Sequence, residues 1–277
     1  MDEALALLEQ YGSDAKPLAG GQSLIPAMNF RLATPAALVD LNRIDAMSYI
    51  SAHDGRLRIG AMTRQRAVER SEEVARHAPL VTAAMPYVAH AAIRTRGTVG
   101  GSLAHADPAA ELPAVLLALN ASVTLRSRSG SRVVSASDFF VGLFTTALEP
   151  GEVLAEIEIP TIPRRSGVAF AEVSRRHGDF ALAGAAALVT LDDDGRCTAA
   201  RVGLLSVSDR PVLATHVERA LVGQKPTADA IRATADAAAQ HDIDPTSDIH
   251  ATSDYRRQLA AVLTSRVLQR AFADVAA

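Results

Sequence analysis

Lys16-Pro17-Leu18-Ala19-Gly20-Gly21-Gln22-Ser23-Leu24 runs from a short extended segment into two glycines, two polar residues and an apolar stretch. Further on, Thr98-Val99-Gly100-Gly101-Ser102 repeats the plan, with a hydroxyl residue beside paired glycines. Glycine enters the φ > 0 region without steric cost and lets another group approach the main chain closely. Successive amides in such a turn form a concave anion site, to which a serine adds another donor. Either segment alone also reads as an ordinary tight turn, and neither has Rossmann or P-loop spacing. Two such turns facing each other would suit a diphosphate, whose two negative groups they could hold without a lysine.

Outward from these segments the pattern is mixed. Residues 1–11 place Leu5, Leu8 and Tyr11 on one helical face, and Gly12 supplies a stop. Residues 37–41 and 56–59 read as strands, the second entered through Asp54-Gly55. Residues 63–87 read as mostly helical, interrupted at Pro79 and Pro86. Asp107-Pro108 reads as an N-cap and first-turn proline for a helix over 109–119, with Glu111 near its positive end. Residues 122–126 and 132–134 flank Ser129-Gly130 as a hairpin, and 153–159 alternate as a half-buried strand.

From about residue 166 the pattern changes to three strands (168–174, 181–191 and 197–206) and then three helices (211–221, 227–240 and 253–275). The last carries Leu259, Val262, Leu263, Val267 and Phe272 along one stripe. A boundary is expected between Pro160 and Gly167, giving domains of 1–165 and 166–277.

Composition narrows the function. The 277 residues hold 28 Lys+Arg against 31 Asp+Glu, a net charge of −3, with 48% hydrophobic residues, which describes a globular chain rather than a disordered one or a dedicated nucleic-acid binder. Cys197 is the sole cysteine, so the chain by itself holds no internal disulfide, Cys-ligated zinc or all-Cys iron–sulfur cluster. No apolar run has the length of a membrane span, and the acidic opening has the wrong polarity for an export signal, so a cytoplasmic protein is expected.

The stretch 16–26, the segments 29–32 and 38–44, residues 96–102 and Asp107-Pro108-Ala109-Ala110-Glu111-Leu112-Pro113-Ala114 together resemble one family. So do Arg175-Arg176-His177-Gly178-Asp179-Phe180 and Ser253-Asp254-Tyr255-Arg256-Arg257. That family is the FAD-binding medium subunit of molybdenum hydroxylases, of the carbon monoxide dehydrogenase and xanthine dehydrogenase type. The resemblance covers nearly the whole chain. It implies an α+β fold: a two-subdomain FAD-binding unit of the vanillyl-alcohol-oxidase type, divided near 50–60, then a C-terminal domain of a three-stranded antiparallel sheet and helices. One departure is the short segment ahead of the first helix.

By resemblance, Ala19, Gly20, Gly21, Gln22, Ser23 and Leu24 would wrap the FAD pyrophosphate together with Thr98, Gly100, Gly101 and Ser102. Glu111 matches an acidic position reaching the ribose or adenine side, and it also reads as a plain helix-dipole carboxylate. Leu154 matches a position beside the adenine, where a core leucine would also sit. Asp179 and Phe180 match the loop near the isoalloxazine, and Gly178-Asp179 is equally an ordinary turn signal. No catalytic residue and no metal ligand is expected on this chain. His105 and His177 lack metal-ligand spacing, Asp192–Asp194 reads as a hairpin tip, 242–248 as a solvated loop, and Tyr255-Arg256 as structural.

The resemblance implies an oxidoreductase subunit with two partners. A large subunit carrying molybdopterin hydroxylates the substrate, and a small iron–sulfur subunit passes electrons to FAD for an external acceptor. The assembly would be a dimer of heterotrimers. A single cysteine agrees with placing the clusters on another chain. Two other readings stay open at this stage: a stand-alone flavin oxidase or reductase of the same fold, and a flavin-less structural subunit.

Overall fold

The computed structural model describes residues 1–276. The helix Asp2–Tyr11 buries Ala4, Leu5 and Leu8 and ends at Gly12 in the φ > 0 region. It covers a two-stranded parallel ribbon, β1 (Ala15–Leu18) and β2 (Ala37–Asp40), joined through the helix Leu24–Asn29.

A five-stranded antiparallel sheet follows. Its strands are β3 (Ile50–His53), β4 (Arg56–Gly60), β5 (Ser122–Ser127), β6 (Gly130–Ser135) and, after the small ribbon β7 (Phe140–Gly142) and β8 (Thr145–Thr146), β9 (Val153–Pro160). The order β3-β4-β9-β5-β6 puts β9 at the centre. Its alternating residues bury Ile157 and Ile159 opposite Val123 and Leu57, the period-2 signature of a sheet with one covered face.

The C-terminal sheet runs β10 (Ser166–Ser174), β11 (Ala181–Leu191), β12 (Cys197–Leu205) and the two-residue edge strand β13 (Val212–Leu213). Helices cover both faces, which explains the alanine-rich β11. Ala183, Ala185, Ala187 and Val189 join a core with the long helix Ser253–Ala276, while Ala186 and Leu188 join the N-terminal core. Two glycines permit direct helix-on-strand contact. A Cβ on Gly167 would lie 1.9 Å from the Ala271 carbonyl oxygen, and one on Gly203 would lie 2.0 Å from that of Ala114. The helix Glu111–Ala118 is therefore buried on every side, between the two halves of the chain. Arg201 donates to the carbonyls of Leu117 and Ala118 at its end.

Local structure departs from the expected pattern at several points. β3 completes a hairpin with β4 around Asp54-Gly55; Ser51, Ala52 and His53 carry too little apolar alternation to announce it. The segment holding Gly100 and Gly101 begins a helix, Val99–His105, because Thr98 caps it by accepting from the Gly101 amide. The next helix starts at Glu111 rather than 109. Asp107 accepts instead from the Ala109 amide in a turn that Ala106, at φ +51°, sets up. Residues 211–214 add β13 rather than lengthening the helix Thr215–Leu221. The segment 242–248 is not simply solvated: Asp242 accepts from His216 and Asp248 from Arg256.

Candidate functional site

The two glycine segments meet. A Cβ on Gly20 would lie 2.5 Å from the Arg96 carbonyl oxygen and 2.8 Å from the Gly97 Cα. One on Gly101 would lie 2.6 Å from Thr98 Oγ1 and 3.2 Å from the Ala19 Cβ. Neither contact leaves room for a side chain, so glycine is required for this close approach rather than for turn shape alone. Gly21 has φ +74°, which selects glycine on backbone grounds.

The segments differ in what they offer. Among the described residues, the main-chain amides of Gly20, Gly21, Gln22 and Ser23 donate to no protein acceptor, and the Gln22 side chain donates back to the Gly20 carbonyl. Such a run of free N–H groups is the donor set an anion needs. The amides of the second segment are already engaged: Gly100 donates to Ala61, Gly101 to the Thr98 hydroxyl and Ser102 to the Thr98 carbonyl. The two segments are therefore not equivalent: the amides of 20–23 are open, whereas Gly100 packs on Ala61, Gly101 lies beside Ala19, and the buried Thr98 hydroxyl serves as the helix cap.

Two residues join these segments: Asn42, inside the stretch 38–44, and Arg64, which no motif marks. Arg64 donates to the Arg96 carbonyl and, at 2.6 Å, to Asn42 Oδ1. Asn42 Nδ2 donates in turn to the Ala19 carbonyl at 2.9 Å and to Asp40. Asp40 is held below the usual carboxylate range by the Asn42 side-chain and backbone hydrogen bonds. Among the described residues Arg64 has no carboxylate within ion-pair distance; the charges that act on it are those of Arg96 and, favourably, Asp40.

The other expected site residues lie on separate elements. Glu111 is 6% exposed in the first turn of its helix. Burial pushes its pKa up to about 7, with Asp107 adding to the rise and a backbone N–H and Arg94 opposing it. Leu154 is buried in the core, next to Ala155, whose carbonyl accepts from Ala61; the Ala61 carbonyl accepts from Gly100. Leu24 opens the helix Leu24–Asn29. Asp179 and Phe180 lie between β10 and β11, with Phe180 66% exposed and Asp179 3.8 Å from Arg175. Their turn leans on Tyr87 and His90, just ahead of the second glycine segment. Among the described residues no group of His, Cys, Asp and Glu is arranged to hold a metal, and no helix is long and apolar enough to cross a membrane.

An open row of amides at 20–23, with Arg64 at the joint to the second glycine segment, suits a diphosphate-bearing cofactor, and the fold is that of flavoprotein subunits of oxidoreductases. Two sequence-family models divide the chain: the FAD binding domain in molybdopterin dehydrogenase matches residues 1–162, and the CO dehydrogenase flavoprotein C-terminal domain matches 168–271. The chain belongs to this family, the FAD-binding medium subunits of molybdenum hydroxylases.

It is 42% identical over 271 residues to the 6-hydroxypseudooxynicotine dehydrogenase complex subunit alpha of Paenarthrobacter nicotinovorans, covering 98% of this chain and 91% of that one. It is 39% identical over 272 residues to the carbon monoxide dehydrogenase medium chain of Afipia carboxidovorans, with 97% and 93% covered. Among solved structures, carbon monoxide dehydrogenase from Hydrogenophaga pseudoflava superposes with a TM-score of 0.96 at 38% identity, covering 99% of this chain and 94% of that one. Quinoline 2-oxidoreductase from Pseudomonas putida 86 gives 0.94 at 39%, covering 99% and 95%. The chain is an oxidoreductase subunit with an FAD-binding domain; in this family the molybdenum and iron–sulfur cofactors belong to other subunits.

Proposed function

We propose that this chain carries FAD between an iron–sulfur partner and an external electron acceptor, in an assembly whose large subunit holds molybdenum and hydroxylates the substrate. The observation that carries the reading is the abutment of Gly20 on Gly97 and of Gly101 on Ala19, beside the free amides of Gly20–Ser23. FAD, when bound, supplies the redox chemistry and converts between one- and two-electron transfer. Everything else is the work of the chain.

The amides of Gly20 to Ser23 and the charge of Arg64 would bind the diphosphate, with the hydroxyls of Ser23, Thr98 and Ser102 within the same cradle. Glu111 would orient the ribose or adenine side, and Leu154 would support the adenine from the core. Asp179 and Phe180 would border the isoalloxazine, one as a polar neighbour and the other as a packing face that excludes water. The domain division near residue 165 would then separate the diphosphate cradle from the turn that covers the flavin. A dimer of heterotrimers in the cytoplasm is the setting this reading expects.

The test is purification with the natural partners, a visible spectrum, and anaerobic titration with substrate. Flavin bleaching should require both partners. Rapid bleaching of the isolated chain by substrate would instead identify a stand-alone flavin enzyme, and a colourless chain that takes up no FAD would identify a structural subunit.

A further inference from the structure

We infer that His90 is the positioning residue for the turn that presents Asp179 and Phe180. The inference rests on the reading of that turn as the flavin-facing one. Gly178, at φ +88°, lies directly against the imidazole of His90. A Cβ there would stand 2.3 Å from Cε1, 2.5 Å from Nδ1 and 3.0 Å from Nε2. The main chain therefore rests on the whole ring rather than on one polar atom; the backbone angle selects glycine, and a methyl there would have to push the imidazole aside.

The flanks of the turn are anchored elsewhere. Ser174 Oγ donates to the Arg176 carbonyl, Ser206 Oγ to the Ala181 carbonyl, and Arg256 Nη1 to the Leu182 carbonyl. Between those anchors, Tyr87 stacks on His177 with ring centroids 6.3 Å apart, and Gly178 has His90 beneath it. The tip's height over the N-terminal half is thus set at two rings.

The ring of His90 is exposed and makes no hydrogen bond among the described residues, whereas the main chain of His90 is held firmly. Its carbonyl accepts from the Arg94 amide, and the preceding Ala89 is fixed at φ +44° with its carbonyl bonded by the Arg94 guanidinium. From His90 the helix Ala91–Arg96 leads to Gly97, on which Gly20 sits. One short element therefore carries both the back of the diphosphate cradle and the seat of the flavin-facing turn, so the two ends of the cofactor site share a common reference. Neither residue reaches the cradle, so FAD retention and flavin environment should separate on mutation.

The experiment compares the FAD-loaded protein with His90→Ala, His90→Phe, Gly178→Ala and Phe180→Ala, reading FAD affinity, flavin fluorescence and visible circular dichroism. His90→Ala should keep affinity within about threefold, because the cradle contacts are untouched, yet change the flavin fluorescence and dichroism. His90→Phe, which restores a flat ring, should return both toward the parent. Gly178→Ala should disturb them as His90→Ala does, and should do less in the His90→Ala background, where the 2.3 Å clash is gone and backbone strain alone remains. If His90→Ala does not fold, His90→Gln, which keeps bulk without the flat ring, takes its place against His90→Phe.

A flavin signal unchanged in His90→Ala while Phe180→Ala alters it would overturn the role of His90 and leave the site reading intact. If FAD binds and Phe180→Ala changes nothing, the turn does not face the flavin and both readings fall. They fall together too if the parent takes up no FAD.

Discussion

Arg64 and Asn42, 22 residues apart in sequence, meet through a guanidinium-to-amide hydrogen bond of 2.6 Å, and that bond ties the first glycine turn to the second. Arg64 reaches the carbonyl that closes over Gly20, and Asn42 reaches the carbonyl of Ala19. The planar fork makes this possible, since two divergent acceptors are served from one head group.

Removing that fork should loosen the cradle without emptying the core. Hydrogen bonds to a charged group contribute about 1.5–3 kcal/mol each, so Arg64→Ala is expected to weaken FAD binding about tenfold or more. Arg64→Lys should recover little, because a point donor cannot hold both acceptors. Titration of apoprotein with FAD, followed by fluorescence quenching, measures both. The loss should be greatest at low salt if the Arg64 charge acts on the diphosphate.

Gly20→Ala and Gly101→Ala test the close approach. The added methyl at 20 meets main-chain atoms at 2.5 and 2.8 Å, which only a displaced backbone can relieve. At 101 it meets Thr98 Oγ1 at 2.6 Å, in competition with the cap. Each variant should lose FAD affinity while far-UV circular dichroism stays native. Gly55→Ala, with nothing within 4 Å of its Cβ but φ +71°, is the control for backbone strain without contact and should keep FAD.

Much of this molecule is legible in the sequence because its long strands and helices follow their periods. β9, β11 and the helix Ser253–Ala276 stand out on apolar spacing alone. The helix Val99–His105 is hidden because glycine and serine have weak helix propensity; its start is fixed by the Thr98 cap and the bridge between Thr98 and Arg64. The two-residue β13 is too short for any period to show. In the site, glycines and hydroxyls announce the cradle because the backbone requirement is local. Arg64 does not, since an arginine that bonds a distant carbonyl looks in sequence like any solvated arginine.

The pH dependence of stability should carry the mark of two crowded carboxyls. Burial pushes Glu172 up to about 8, with the Glu111 charge adding to it, and Glu172 Oε2 is buried with no hydrogen-bond partner. A carboxyl whose folded pKa lies above its unfolded value favours the native state most below the unfolded value, near 4.5. That advantage fades as pH rises through about 7 for Glu111 and about 8 for Glu172. Glu172→Gln keeps the shape and removes the titration. It should raise Tm at pH 8.5 by about 2 °C or more and leave it nearly unchanged at pH 5. A parallel shift at both pH values would exclude the ionisation argument.

Arg94 anchors the helix Ala91–Arg96, which leads into the second glycine segment, from inside the protein. Only 7% exposed, it forms a double hydrogen bond with Glu69 and donates to the carbonyls of Val88 and Ala89. Burial works to raise the Glu69 pKa, yet the hydrogen bonds from Arg94 and Arg66 outweigh it and hold the carboxyl below its ordinary value. Arg94→Ala leaves the Glu69 carboxylate to Arg66 alone and strands the Val88 and Ala89 carbonyls, so it should cost about 1–3 kcal/mol. Glu69→Ala combined with Arg94→Ala removes both partners of the pair, so the double variant should lose less than the sum of the singles. Because the Glu69 pKa is depressed, the contribution of the pair is present above the unfolded pKa and fades as pH falls through the folded one. Urea denaturation at pH 7 and at pH 4 should therefore show a large gap between parent and Arg94→Ala at the higher pH and a smaller one at the lower. An equal gap at both would mean that Arg94 acts through the Val88 and Ala89 carbonyls alone.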